Sequence, residues 1–310
     1  MPDEIFGPIS VFDMLKIGVG PSSSHTLGPW RAAEHFVSEL RRAGRLDDVV
    51  RVHIDFAGSL AKTGRGHGTG IAAMMGLAGH DPETCDVGEV QRLGPDTLAT
   101  GQLRLGGSHP VPFVRERDID FDGGVTLEGH PNGMRLRATT ADGHVTEQVS
   151  YSIGGGFIVH EVADDGIAAS VPPGVVTLPC PVESAADLLH WCGDDRTISD
   201  VVRSNERAWR SDPEIDAALL RLRDAMLDCV FRGVSTNGTL PGGLGVARRA
   251  HGLHDALFGG IETDSPAAWF DSIRRSELGF GDAVRLVSCL ALAVNEENAA
   301  FGRVVTAPTN

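Results

Sequence analysis

The hydrophobic spacing of this chain changes period part-way along it, and that change limits the folds open to it. Before residue 160 several runs alternate apolar and polar residues: Val50, Val52, Ile54 and Phe56 share one face, and Met134-Arg-Leu-Arg-Ala138 and residues 148–153 alternate likewise. Period two is the mark of half-buried strands. Two helical segments interrupt them. In residues 26–43, Pro29 sits in the first turn, Phe36, Val37 and Leu40 form an apolar stripe, and Gly44 is a stop. Residues 58–70 read as a glycine-rich loop and 71–79 as a short apolar helix. After Ser184 the period becomes helical. Ser184-Ala-Ala-Asp187 resembles a capping box with Asp in place of Glu. Helices are expected over 198–209, 215–231 and 283–300, the second with Ala218, Leu219, Leu222, Met226 and Cys229 at helical spacing. Residues 161–183 are rich in Asp, Gly and Pro and read as a linker. The expected fold is α+β: a β-containing domain over 1–160, the linker, and a helical region over 184–310.

Charge and cysteine usage exclude several classes. A net charge of -15 argues against a nucleic-acid or anionic-membrane surface. No run of about 18 apolar residues marks a membrane span, and the N-terminus lacks a signal-peptide pattern. The five cysteines, Cys85, Cys180, Cys192, Cys229 and Cys289, are widely spaced and lack a C-x-x-C pair. They read as buried reduced thiols, which makes the cytoplasm the expected compartment.

Chemistry concentrates in loops of small residues. Ile17-Gly-Val-Gly-Pro-Ser-Ser-Ser-His-Thr26 sets glycines, serines and a histidine between an apolar run and a helix start, as a site for a small carboxylate requires. His25, His67 and His130 each lie in such a loop. Each is open to two readings: a general acid or base, or a turn histidine bonded to backbone. One of Ser22, Ser23 and Ser24 is expected to cap the helix. A Ser24–His25 nucleophile pair is weak on this reading, because neighbours in sequence rarely face each other and no G-x-S-x-G elbow is present. Gly154-Gly-Gly156 lacks the spacing of a dinucleotide fingerprint. Asn295-Glu-Glu-Asn298 and Thr306-Ala-Pro-Thr-Asn310 read equally as capping groups or as ligand contacts.

Together these motifs resemble the iron–sulfur L-serine dehydratase (L-serine ammonia-lyase) family. The matching pieces are Ser10-Val-Phe-Asp-Met with residues 17–26, Gly58-Ser-Leu with Thr63-Gly-Arg-Gly-His-Gly-Thr69, His130-Pro-Asn-Gly-Met134, Tyr151-Ser-Ile-Gly-Gly-Gly-Phe157, Ala293-Val-Asn-Glu-Glu-Asn-Ala-Ala300 and Arg303-Val-Val-Thr-Ala-Pro-Thr-Asn310. The resemblance implies an N-terminal α/β sandwich-like domain similar to a regulatory domain of phosphoglycerate dehydrogenase, followed by the start of an all-helical catalytic domain. It implies β-elimination from L-serine to pyruvate and ammonia, with a [4Fe-4S] cluster as Lewis acid. His67 is the first candidate for the base, with His25 and His130 next; Ser22, Ser23, Ser24, Thr69 and Asn132 would hold substrate. The family commonly has Asp at Gly70 and Gly at Phe301. None of the five cysteines matches a family cluster ligand, so no metal ligand is expected in this chain. A homodimer, or association with a cluster-bearing chain or segment, is expected, with no activity from this chain alone.

Overall fold

The computed structural model describes residues 8–162, 166–169, 176–241, 244–261 and 263–306. Helix α1 (Val11–Met14), capped by Ser10, leads into strand β1 (Lys16–Val19). Ser23–Leu27 then winds as one π-helical turn that continues into α2 (Gly28–Arg42). Ser22 caps the π turn by accepting from the His25 N–H, so regular α-helix begins two residues later than the sequence predicts. Phe36, Val37 and Leu40 are buried as expected.

Strand β2 (Val49–Ala57) buries Val52, Ile54 and Phe56. Val50 does not join them: a register shift between Val49 and Arg51 turns it outward, 47% exposed. The segment after β2, expected to be all loop, forms α3 (Gly58–Thr63), because Leu60 and Ala61 dock in the core; only residues 64–68 turn before α4 (Thr69–Leu77). Helix α5 (Val87–Thr100), the hairpin β3 (Gln102–Leu105) and β4 (His109–Pro112), and α6 (Arg115–Asp118) follow. Strands β5 (Ile119–Asp122), β6 (Gly133–Thr140), β7 (Val145–Gly154), β8 (Phe157–Val162) and β9 (Gly166–Ala169) complete the sheet.

The sheet order is β5-β2-β6-β7-β8-β9, with only the β2–β5 pair parallel. Phe36, Leu40, Met74 and Leu77 of α2 and α4 pack on Val52, Ile54, Phe56 and Leu136, so two layers enclose one core. Gly154–Gly156, all at positive φ, carry the turn from β7 to β8. Strand β9 falls inside the stretch expected to be linker: pairing of residues 166–169 with β8 extends the sheet past residue 160.

The second half is helical: α7 (Ala185–Cys192), α8 (Ile198–Glu206), α9 (Asp212–Ser235), α10 (Ala250–Phe258), α11 (Pro266–Arg274) and α12 (Phe280–Ala299). Ser184 and Asp187 form the predicted capping box. Val234, Ala250, Trp269, Ile273, Cys289 and Ala293 form its core. On α9, Leu222 and Cys229 are buried, whereas Leu219 and Met226 are 43% and 42% exposed. Strand β10 (Arg303–Thr306) returns to pair antiparallel with β1. The Ser10 hydroxyl and Val11 N–H both donate at 2.7 Å to the buried Glu206 carboxylate. These two links fasten the N-terminal loops to the helical half. No described helix is long and apolar enough to cross a membrane.

Candidate active site

Two of the three loop histidines meet. Ring centroids of His25, on the π turn, and His67, in the turn before α4, lie 5.0 Å apart. A reciprocal clasp holds them. The Thr26 hydroxyl donates to the His67 carbonyl at 2.9 Å, and the Thr69 hydroxyl donates to the His25 carbonyl at 2.6 Å. Both threonines are fully buried. Thr69 is thus spent on backbone support; its hydroxyl does not face a substrate, as the sequence reading expected, because it lies beneath the π turn.

Hydrogen-bond partners separate the histidine roles. His67 Nδ1 lies 3.0 Å from the Thr63 carbonyl. A carbonyl only accepts, so Nδ1 carries the proton and the neutral ring keeps a lone pair on Nε2. His130 is the reverse: its Nδ1 accepts from the Asn132 N–H at 3.1 Å, which places the neutral ring's proton on Nε2. His25 Nδ1 lies 2.9 Å from Ser24 Oγ, and its Nε2 lies 3.2 Å from Ser59 Oγ. Ser24 and His25 therefore do face each other: the π turn, unlike a strand, folds adjacent side chains together. Among the described residues no carboxylate bonds the ring, whose nitrogens face Ser24 and Ser59, so the pair has no third group of a nucleophilic triad there. Burial, then the neighbouring His67, holds His25 below the usual imidazole range, opposed by a contact with the Ser59 backbone. Burial lowers His130 as well.

A cleft of ≈ 450 Å³ opens beside these groups, lined by Pro21, Ser22, Ser23, Ser24, His67 and, from the helical half, Asn295, Asn298 and Thr306. His130 and Asn132 do not line it. Their loop reaches the site through Ser59, whose N–H donates to the Pro131 carbonyl at 2.8 Å, and the Asn132 amide donates to the Ser152 carbonyl at 3.1 Å. A larger groove of ≈ 560 Å³ runs along α2 past Arg31, His35 and Phe157, away from the paired histidines.

The segment Asn295-Glu-Glu-Asn298 divides between its glutamates, which cap and pair, and its asparagines, which line the cleft. The Glu296 carboxylate accepts from the Arg249 and Ala250 N–H groups and caps α10. Glu297 pairs with Arg232 at 3.1 Å and Arg248 at 2.9 Å. Asn295 and Asn298 line the cleft, and the Asn298 amide donates to the Pro21 carbonyl at 2.9 Å. Gly20 is required where it is: a Cβ there would meet the Asn298 backbone and side chain. Residues 307–310 of the last motif lie outside the described residues.

The two family-typical departures have local accounts. Gly70 is buried against Ile119 and Phe121, and the Thr63 carbonyl orients His67 without a carboxylate. Phe301 holds φ 59°, a left-handed backbone that favours glycine, and its ring packs over Gly68. The asparagines of Asn295-Glu-Glu-Asn298 were marked in the sequence with both readings open, whereas no role was assigned there to Thr26 or Ser59. The His-Thr at 25–26 and His-Gly-Thr at 67–69 were the available signal for the clasp; for Ser59 it was the Gly58-Ser-Leu piece of the family resemblance.

Residues 10–163 match the family model for the serine dehydratase beta chain and residues 194–310 that for the serine dehydratase alpha chain. The chain belongs to the L-serine dehydratase family. It is 46% identical to the L-serine dehydratase of Mycobacterium tuberculosis (strain CDC 1551 / Oshkosh), over 97% of this chain and 62% of that protein. It is 42% identical to L-serine dehydratase 1 of Escherichia coli (strain K12), over 97% and 63%. The Helicobacter pylori (strain ATCC 700392 / 26695) L-serine dehydratase is 35% identical, over 97% and 62%. The chain thus spans 62–63% of the length of these relatives.

An iron–sulfur cluster needs cysteine thiolates gathered around it. The cysteines here do not fit that role. Among the described residues, the one group of three or more His, Cys, Asp or Glu at metal-ligand spacing is His53, Asp55 and Asp120, on the outer sheet face and without a cysteine. Burial pushes the Cys229 thiol up to about 11 and raises Cys85 and Cys289. Cys289 Sγ donates instead to the Ala250 carbonyl at 3.3 Å.

Proposed function

We propose that this chain supplies the substrate-binding and proton-abstracting part of an L-serine ammonia-lyase, which converts L-serine to pyruvate and ammonia. The observation that carries this reading is the His67 hydrogen bond to Thr63, which leaves an imidazole lone pair at a cleft of serine and asparagine side chains. The α-proton of an amino acid is weakly acidic, so a fixed neutral base beside it is the first requirement. His67 Nε2 takes that proton. Ser22, Ser23 and Ser24, with Asn295 and Asn298, bind and orient the carboxylate and amino groups. His25, held neutral, adds no positive charge beside the base. His130 and Asn132 stand outside this cleft, and their loop braces Ser59, which faces His25.

In the family reading a [4Fe-4S] cluster activates the hydroxyl leaving group. The cysteines described here do not form its ligand set, and no step above passes through it. The cluster-bearing partner is a further chain or segment. The open outer side of α12, with Phe280, Val284 and Val287 exposed, supports such an association. The two-layer N-terminal domain supports likeness to a phosphoglycerate dehydrogenase regulatory domain. Five free cysteines support a reducing compartment, the cytoplasm.

The second reading, a cluster-less module that binds an amino acid without turnover, is favoured by the dispersed cysteines alone. Pyruvate release from L-serine, measured anaerobically on the complete protein and on this chain, separates the two. Pyruvate from the complete protein is the expected result. Stoichiometric serine binding with no pyruvate from either would establish the binding module instead.

A further inference from the structure

Phe301 is the one non-glycine residue at positive φ among the described residues, at 59°. It stands where the chain leaves α12. The Gly302 N–H donates to the Glu297 carbonyl at 2.8 Å and the Ala300 N–H to the Glu296 carbonyl at 3.0 Å, a helix-ending turn whose left-handed position glycine fills without strain. A bulky side chain persists in that conformation only where its surroundings hold it there. Those surroundings belong to the N-terminal half. The ring packs against the cluster of Val19, Trp30, Ala72 and Met75, and its Cε1–Cζ edge lies over Gly68, where a Cβ would run into it. Gly68 directly follows His67. The turn that carries His67 has glycine at 64, 66 and 68, so it has little rigidity of its own. Side chains from elsewhere pin it. The Arg65 guanidinium lies 4.5 Å from the centre of the Phe121 ring, the Thr26 hydroxyl holds the His67 carbonyl, and Phe301 covers Gly68. Of these three, Phe301 alone belongs to the helical half, which also supplies Asn295 and Asn298 to the cleft.

We propose that Phe301 is a positioning residue for His67. Its ring bears on the residue after the histidine, and so fixes the Nε2 lone pair relative to the asparagines that reach the cleft from the helical half. Phe301 is not among the residues that line the cleft, so it acts through His67 and not on substrate. The role of His67 as base rests on the dehydratase reading. The brace does not.

The test uses the complete, anaerobically prepared protein and has two parts. The first is hydrogen exchange read by mass spectrometry on peptides covering residues 63–69, where Phe301→Gly is expected to exchange about tenfold faster than wild type. It needs no substrate. A wild type that forms no pyruvate would therefore sink the dehydratase reading and leave this result standing. The second is pyruvate release. Phe301→Gly and Phe301→Ala are each expected to lower kcat by about 10–100-fold with KM within about twofold, as a displaced base does. Glycine relieves the backbone strain and alanine keeps it, so equal losses assign the effect to the ring. Phe301→Met, flexible enough to reach Gly68, is expected to restore kcat to within about threefold of wild type. In the His67→Gln background Phe301→Gly is expected to change kcat by less than about twofold, because no base is left to position. A ring that only stabilised the fold would lower the urea midpoint and leave kcat of the folded variants unmoved. Unchanged exchange over 63–69, an unchanged kcat in folded Phe301→Gly, a loss in Phe301→Gly but not in Phe301→Ala, or the full loss repeated in His67→Gln overturns the proposal. Should the glycine and alanine variants not fold, Phe301→Leu, which withdraws the Cε1–Cζ edge but keeps an apolar side chain, decides it by the same two readouts.

Discussion

Acidification is expected to loosen the packing of α2 on the sheet through one side chain, His160. This β8 residue is 8% exposed. Its Nδ1 lies 2.9 Å from Ser150 Oγ, its ring stacks on His35 with centroids 4.0 Å apart, and its Nε2 has no hydrogen-bond partner among the described residues. Burial first, and the adjacent His35 second, push its pKa down to about 4 from 6.5. The unfolded chain therefore takes up the proton before the folded one. His160's contribution to stability is complete above the unfolded value of 6.5 and is lost as pH falls toward 4. At 1.36 kcal/mol per pK unit the whole loss is about 3 kcal/mol, of which about 2 kcal/mol has gone by about pH 5. The assay is urea unfolding of wild type and His160→Asn at about pH 7.5 and about pH 5. Asparagine can bond Ser150 but cannot titrate. Other titrating groups are common to both proteins and cancel in the difference. The variant is expected to be the less stable at the higher pH, with the gap closing by about 2 kcal/mol at the lower. A gap that does not change with pH would refute the reasoning.

Three further outcomes follow from the site and its supports. His67→Gln in the complete, anaerobically prepared enzyme is expected to lower kcat by about 10²–10⁴-fold with a smaller change in KM, measured by pyruvate release; an unaltered kcat removes His67 as the base. Thr69→Val leaves the His25 carbonyl without its buried donor and is expected to cost about 1–3 kcal/mol in urea unfolding. Glu297→Ala leaves Arg248, whose side chain is 8% exposed, without its carboxylate; the expected loss is about 3–5 kcal/mol, and a value within about 0.5 kcal/mol of wild type would show that the pair is not load-sharing.

Period and capping made most elements legible beforehand. Strand β2, the α2 stripe and the Ser184 capping box are local consequences of side-chain spacing, which a sequence displays directly. The small-residue loops that carry His25, His67 and His130 were visible for the same reason, as was the family to which they point. The errors arose where a distant contact outweighed the local pattern. Val50 follows its neighbours in spacing, but a bulge against β6 turns it out. The glycines of residues 58–70 suggest a loop, but burial of Leu60 stabilises α3. Spacing carried no information on how Ser24 would meet His25, because that depends on the π turn.

Sequence alone determined the candidate chemistry: which loops hold histidines, and that serines and amides accompany them. Tertiary structure decided which of them share a cleft and in what protonation form. Thr26 and Thr69 join loops some forty residues apart, Asn298 reaches Pro21 from the other end of the chain, and the Thr63 carbonyl selects the lone pair of His67. A hydrogen bond fixes a tautomer only through the geometry of donor and acceptor, and that geometry exists only once the chain has folded.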